Sequence, residues 1–384
     1  MRFEFATATR IIFGPGTIGE VGSEADGLGR RAFVVTGRSP ERAGLLFEQL
    51  KRHALEYVTF SVPAEPTTTM VAEAVGRGRE MKSDLVIGIG GGSVLDTGKA
   101  VAAMLTNSGK LLDYLEVVGE GKPLTQTPAP YIAIPTTAGT GAEVTRNAVL
   151  AVPEKQVKVS MRSPLMLPRL AVVDPVLTHS MPQSTTASTG LDALTQLIEA
   201  FVSNRANPMT DGICREGLKR AARSLRKAYE NGGDSNARED MALAALFSGL
   251  ALANAKLGAV HGFAGPLGGM ISAPHGVICA RLLPFVFETN VQALHSREPT
   301  SAALARYDEV ARILTGKDLA RAADGVEWIQ NLCKALTVPP LTEFGLKEED
   351  FPAVVAKAQK SSSMKGNPIS LMDDELMEIL KESQ

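Results

Sequence analysis

The sequence predicts an α/β N-terminal half, a parallel sheet with helices on both faces, followed by an all-helical C-terminal half. Three observations carry that expectation. Short, unbroken apolar runs alternate with amphipathic ones up to about residue 180. The turns closing several of those runs are rich in glycine and threonine. From about Ser184 onward, nearly every periodic segment has helical spacing and none shows strong strand alternation.

In chain order, AFVVTG (32–37) is apolar and stops at a glycine, and ERAGLLFEQLKRHA after it reads as an amphipathic helix. EYVTFSV (56–62) is the next strand and TMVAEAVGRGREMK the next helix. DLVIGIG (84–90) runs into GGSVLDTGKAVAAML, and YIAIPTT (131–137) closes the series. Apolar strands separated by helices indicate parallel pairing with both faces covered, and such sheets bind ligands at the carboxyl ends of their strands. After AVVDPVLTHSMP (171–182) come TASTGLDALTQLIEAFVS, DGICREGLKRAARSLRKAYE, MALAALFSGLALANA, SAALARYDEVARILTG and AADGVEWIQNLCKAL, all helical. The boundary is placed near Ser180 to Pro182, giving domains 1–180 and 181–384.

Bulk properties narrow the function classes. At 384 residues the chain exceeds one ordinary core, so two domains are the default. A net charge of −2 offers no basic field for nucleic acid or a membrane surface. Cys214, Cys279 and Cys333 are odd in number and share no CxxC spacing, which fits reducing cytosol better than a disulfide framework. The opening MRFEFATATRIIFG lacks signal-peptide order, and the apolar window 241–255 is too short to cross a bilayer. A cytoplasmic protein is expected.

GIGGGSVLD (88–96) stands where a strand ends and a helix begins. Its glycines admit a close ligand, Ser93 is a good N-cap, and exposed amides with the helix dipole favour a pyrophosphate. A ligand-free tight turn is the alternative, because Ser93 stands where a third glycine would be expected. PTTAGTGAE (135–143) is a second such turn, or an ordinary polar loop. In TGRSPER (36–42), Gly37 precedes Arg38 and Ser39. No carboxylate there repels a 2′-phosphate, and a guanidinium is available to pair with one, unless Arg38 is merely solvated.

In GLDALTQLIEA, Asp192 and Gln196 lie at i and i+4 and share one face of an apolar helix. They are either a first-turn acid with a routine amide or part of a polar site. GAVHGFAGPLGGMISAPHG (258–276) holds His261 and His275, either satisfied core groups or metal ligands whose partners lie elsewhere.

Taken together, these motifs resemble the iron-containing (group III) alcohol dehydrogenase family. RIIFGPGTIGEV, GIGGGSVLDTGKA, IAIPTTAGTGAEVT, AVVDPVLTHSMP, TGLDALTQLIEAFVS and HGFAGPLGGMISAPHG occur in the family's order over residues 11 to about 285. KGNPISLMDDELMEIL near the end matches less closely. The resemblance implies the dehydroquinate synthase-like architecture of that family, a divalent metal (Fe2+ or Zn2+) and NAD(P)-dependent interconversion of an alcohol with an aldehyde or ketone. A small-molecule substrate and a homodimer are also implied.

By position, it assigns Gly91, Gly92, Ser93 and Asp96 to the cofactor's phosphates and adjoining groups. Thr136, Thr137 and Thr140 would line its path, and Lys158 would reach the nicotinamide ribose. Gly37, Arg38 and Ser39 make NADP the mild favourite over NAD. Asp192, Gln196, His261 and His275 fall at the metal-ligand positions, with Asp192, His261 and His275 expected to serve catalysis.

Two departures from the family pattern stand out. Position 196 is usually histidine, and an amide is the weaker donor, so iron affinity should fall and zinc or a three-ligand site comes forward. Gly265 occupies a place where relatives often carry a proton-relaying histidine. The rival readings are a maleylacetate reductase-like enzyme, a dehydroquinate synthase-like lyase and a decayed protein that only binds nucleotide.

Overall fold

The computed structural model describes residues 2–155 and 157–384. The chain divides into two compact units. One comprises Ala6–Thr137 and Gly141–Thr178; the other comprises His179–Gln384 together with residues 2–5 and Ala138–Thr140.

The first unit carries strands β1 (Ile11–Phe13), β2 (Arg31–Thr36), β3 (Glu56–Ser61), β4 (Leu85–Gly90), β5 (Tyr131–Pro135), β6 (Asn147–Val152), β7 (Val157–Arg162) and β8 (Leu170–Val173). Six of them form one sheet in the order β1-β8-β5-β4-β2-β3, every pair parallel, as the alternation predicts. Its helices are α1 (Val21–Asp26), α2 (Gly44–Arg52), α3 (Thr68–Glu80) and α4 (Gly92–Thr106).

Side chains alternate across the pleat, so β2 supplies both faces. Phe33 and Val35 join a core with Val71 and Val75 of α3 and Leu95 and Val101 of α4. Ala32 and Val34 join another with Val21 of α1 and Leu46 and Leu50 of α2. This two-sided burial explains the unbroken apolar runs.

Four strands escape the sequence expectation. β1 is only three residues long, and β8 lies within the segment read as a joint. β6 and β7 form a separate antiparallel pair. The glycine-rich turn therefore follows the fourth strand of the chain, not the third.

The second unit is helical: α5 (Gln183–Val202), α6 (Pro208–Glu230), α7 (Ser235–Ala255), α8 (Ala259–Met270), α9 (His275–Arg297), α10 (Ala302–Thr315), α11 (Ala322–Ala335), α12 (Phe351–Ala358) and α13 (Asp373–Glu382). α5 is its axis, packed against α6, α7 and α9. Leu191, Leu194, Leu197 and Phe201 are fully buried, each contributing about 1.5–3 kcal/mol through removal from water. That investment fixes the rotation of α5 and hence the direction of its polar residues. α9 is long and apolar enough to cross a bilayer, but it spends Leu282, Leu283, Val286 and Phe287 on this core.

Candidate functional site

α5 presents Asp192, Gln196 and Glu199 at i, i+4 and i+7, three polar groups on the buried face of an apolar helix. A buried carboxylate is costly unless donors meet it, and two other helices supply them. α8 places His261 with its Nε2 3.3 Å from Asp192 Oδ1. α9 begins at His275, whose Nε2 lies 3.8 Å from the same oxygen.

Gly276 makes this approach possible. A Cβ there would sit 2.1 Å from the Ser188 carbonyl oxygen, so only glycine lets the start of α9 seat directly on α5. One turn further along α9, the sulfur of Cys279 stands 3.8 Å from His261 Nε2 and 3.7 Å from His275 Nε2. The donor atoms of Asp192, His261, His275 and Cys279 all lie within 4.8 Å of one another.

Electrostatics bind these groups together. Burial alone would raise the Asp192 carboxyl, but the hydrogen bond from His261 and the charges of His275 and His261 hold it below the usual range. Burial opposes protonation of His261. The Cys279 sulfur and the Glu199 and Asp192 carboxylates outweigh it and keep that imidazole well above its ordinary value. His275, with its outer edge exposed, is raised to about 9, chiefly by the Cys279 sulfur. Elsewhere in this unit, burial pushes the thiols of Cys214 and Cys333 up, the latter to about 12.

Two side chains support the cluster from behind. Glu199 Oε2 lies 2.5 Å from His261 Nδ1, and its Oε1 accepts the Val260 amide at 2.7 Å. With Nδ1 held by Glu199, Nε2 is the ring nitrogen that faces Asp192 and Cys279; protonated, it donates to Asp192 Oδ1, and a bound cation would take the place of that proton.

Gln196, expected as an amide-oxygen ligand, is committed elsewhere. A carboxylate only accepts, so the Gln196 NH2 faces Asp192 Oδ2 at 3.1 Å and its Oε1 accepts from Ser248 Oγ at 2.7 Å. Its role in this arrangement is to hold Asp192. At Gly265 an added Cβ would meet nothing within 4 Å, so the position one turn beyond His261 is open.

The four converging atoms suit a small dication. Tetrahedral zinc with bonds of about 2.0–2.3 Å has ligand-to-ligand edges of roughly 3.3–3.8 Å. Four of the six edges, at 3.3, 3.7, 3.8 and 3.8 Å, fall in that range, and the other two are within 4.8 Å. One carboxylate, two imidazoles and a thiol are also the donor types such an ion prefers.

In the α/β unit the sequence-named residues gather at the carboxyl edge of the sheet. β2, β4 and β5 are neighbours, so Gly37, Gly91 and Thr136 follow three adjacent strand ends. The chain leaves β2 toward β3 and leaves β4 toward β5, which makes the β2–β4 gap the topological switch point.

Ser93 does not cap α4. The cap is Gly91, with extended backbone (φ −77°, ψ −174°), and Ser93 is the second helical residue. The reason is that β4 runs straight to Gly90, which leaves a single residue for the turn. A helix start without a side-chain cap leaves its first amides for an anion, so the fit to a pyrophosphate is retained.

The other assigned residues are more constrained. Asp96 accepts the Val149 amide at 2.9 Å and pairs with buried Lys99 at 2.9 Å. Lys158 on β7 pairs with Glu65 at 3.3 Å. Arg38 is exposed and donates one bond, at 3.2 Å, to the Pro63 carbonyl. Ser39 precedes the short turn of helix at Pro40–Ala43. Thr136 and Thr137 follow β5 directly, whereas Thr140 clusters with the helical unit.

The residues missed in the sequence are Cys279, Glu199 and Ser248. Signals existed for two of them: Cys279 is i+4 from His275, and Glu199 is i+7 from Asp192.

Two family models match the chain: iron-containing alcohol dehydrogenase over residues 8–175, and the C-terminal part of the Fe-containing alcohol dehydrogenase family over residues 186–384. The 1,3-propanediol dehydrogenase of Klebsiella pneumoniae is 34% identical over 390 residues, covering 99% of this chain and 98% of that protein. A crystal structure of 1,3-propanediol oxidoreductase superposes with a TM-score of 0.92 at 33% identity, covering all of both chains. The sulfoacetaldehyde reductase of Bifidobacterium kashiwanohense, in complex with NAD+, gives a TM-score of 0.88 at 28% identity over 100% of this chain and 99% of that one.

Proposed function

We propose, since the chain belongs to the iron-containing alcohol dehydrogenase family, that Asp192, His261 and His275 hold the divalent metal at which a small alcohol and its carbonyl counterpart are interconverted. The chain is an oxidoreductase acting on CH–OH groups, an alcohol dehydrogenase or aldehyde reductase. Its cofactors are NAD(P) and a divalent metal. The observation that supports the metal reading is the convergence of three helices on one carboxylate oxygen and two Nε2 atoms.

When bound, the ion supplies a Lewis acid for a carbonyl or alkoxide oxygen, and the nicotinamide exchanges the hydride. The protein's own groups do the positioning. Glu199 holds the proton of His261 on Nδ1, and Gln196 with Ser248 fixes the angle of the Asp192 carboxylate. Gly91, Gly92 and Ser93 offer main-chain amides to the cofactor's phosphates, and Lys158 is the candidate for its ribose.

Arg38, free of any carboxylate at position 37, supports NADP over NAD through a charge-assisted contact with a 2′-phosphate. With glycine at 265, no imidazole relays a proton there, and the open space suits a bulkier substrate. Three unpaired, buried thiols support a reducing cytosolic setting.

The test is oxidation of NADPH and NADH by metal-stripped protein resupplied with Fe(II) or Zn(II), against a panel of aldehydes and ketones. Metal-dependent cofactor consumption is expected, with NADPH preferred. No consumption of either cofactor on any substrate would defeat the dehydrogenase reading. Conversion without net consumption would point to the lyase alternative.

A further inference from the structure

We infer that Cys279 is a ligand of the metal centre, its thiolate supplying the fourth protein donor that Gln196 does not. This rests on the reading that Asp192, His261 and His275 hold a divalent ion. Three observations carry it.

First, Sγ completes the cluster: it stands 3.8 and 3.7 Å from the two Nε2 atoms and within 4.8 Å of the Asp192 donor oxygen. The two sulfur–nitrogen separations already fall in the range of the edges of a tetrahedron of N, O and S donors about a small dication. Second, His275 and Cys279 lie one turn apart on the same face of α9, and the contact of Gly276 with Ser188 fixes that face against α5. Third, Gln196 presents no free acceptor to the cluster: its amide nitrogen donates to Asp192 Oδ2 and its oxygen accepts from Ser248 Oγ.

The substitution moves the fourth donor from α5 to α9 and exchanges a neutral amide for an anion. On loading, the thiol gives up its proton to solvent and the sulfur bonds to the ion. One carboxylate and one thiolate then balance the charge of a dication. A soft sulfur donor shifts preference toward zinc and away from iron.

The experiment uses the full-length protein, stripped by a chelator and reloaded with Co(II) alone, then separately with Zn(II) alone. Wild type should show a near-ultraviolet sulfur-to-cobalt charge-transfer band beside the visible d–d bands. Cys279→Ser should lose that band and bind Co(II) about 10–100-fold more weakly, while Cys214→Ser keeps it. Zinc-loaded wild type, read by X-ray absorption, should show one sulfur neighbour at about 2.3 Å; this measurement needs no variant to fold.

Cobalt bound with nitrogen and oxygen signatures and no sulfur band, or zinc with no sulfur neighbour, would overturn the ligation by Cys279 and leave the metal reading standing. Failure of the wild type to bind either ion would overturn both.

Discussion

Asp192 in the helical unit and Glu143 in the α/β unit are each about 2% exposed, yet their surroundings drive them in opposite directions. Desolvation dominates at Glu143 and pushes its carboxyl from 4.5 to about 7. Lys99, whose charge pulls the other way, is already engaged by Asp96, the Thr145 hydroxyl and the Asn147 carbonyl. At Asp192 the same burial is overcome by imidazoles arriving from two other helices. Burial alone therefore marks a carboxyl that would rather be neutral. Convergence of donors from separate elements marks one arranged to stay charged, and only the second is a candidate for holding a cation.

That contrast is easiest to break at Asp192. Replacing it with asparagine keeps the shape and removes the charge, so metal content and turnover should both fall by more than about 100-fold. Elemental analysis beside steady-state rates checks this, and a variant that retained its metal would remove Asp192 from the site.

At Glu143 the expected effect is on stability and its sign is fixed by linkage. Between pH 4.5 and about 7 the folded state keeps a proton that the unfolded state has lost, so wild-type stability should decline across that window and level off above it. Glu143→Gln should abolish the decline, gaining up to about 3 kcal/mol relative to wild type by pH 8. Denaturant midpoints at pH 5 and pH 8 read it out; parallel curves for the two proteins would mean Glu143 is ionised in the fold.

The smallest effect is expected outside both carboxylates. Arg38→Ala should weaken NADPH binding about 10-fold and leave NADH nearly unchanged. Equal losses for both cofactors, measured by fluorescence titration, would make Arg38 a structural residue of the β2 turn.

The sheet and the helical half were legible because buried strands and amphipathic helices leave periodic traces in sequence. β1 was not, since three residues carry no period, and β6 and β7 were overlooked in a segment read only for a cofactor lysine. Asp192, His261 and His275 are readable through resemblance, and the structure brings their donor atoms together. Cys279 leaves only a weak trace, its i+4 spacing from His275, which a buried core thiol can share. Gln196 is a different case. Its position is right, but which end of an amide faces inward is settled by neighbours as distant as Ser248, which no local pattern encodes.

The short segment 138–140 belongs to the helical unit although it is threaded between β5 and β6. The place a Cβ would take on Gly139 is 2.5 Å from the Thr189 Cβ, and the Gly139 carbonyl lies 3.2 Å from Ser248 Oγ. A severed half beginning at α5 would lack this clasp. It would expose the flank of α5 at Thr189 and free the serine that steadies Gln196 and, through it, Asp192. The helical unit is thus completed by three residues supplied far upstream of α5, so no stretch that starts at α5 contains all of it.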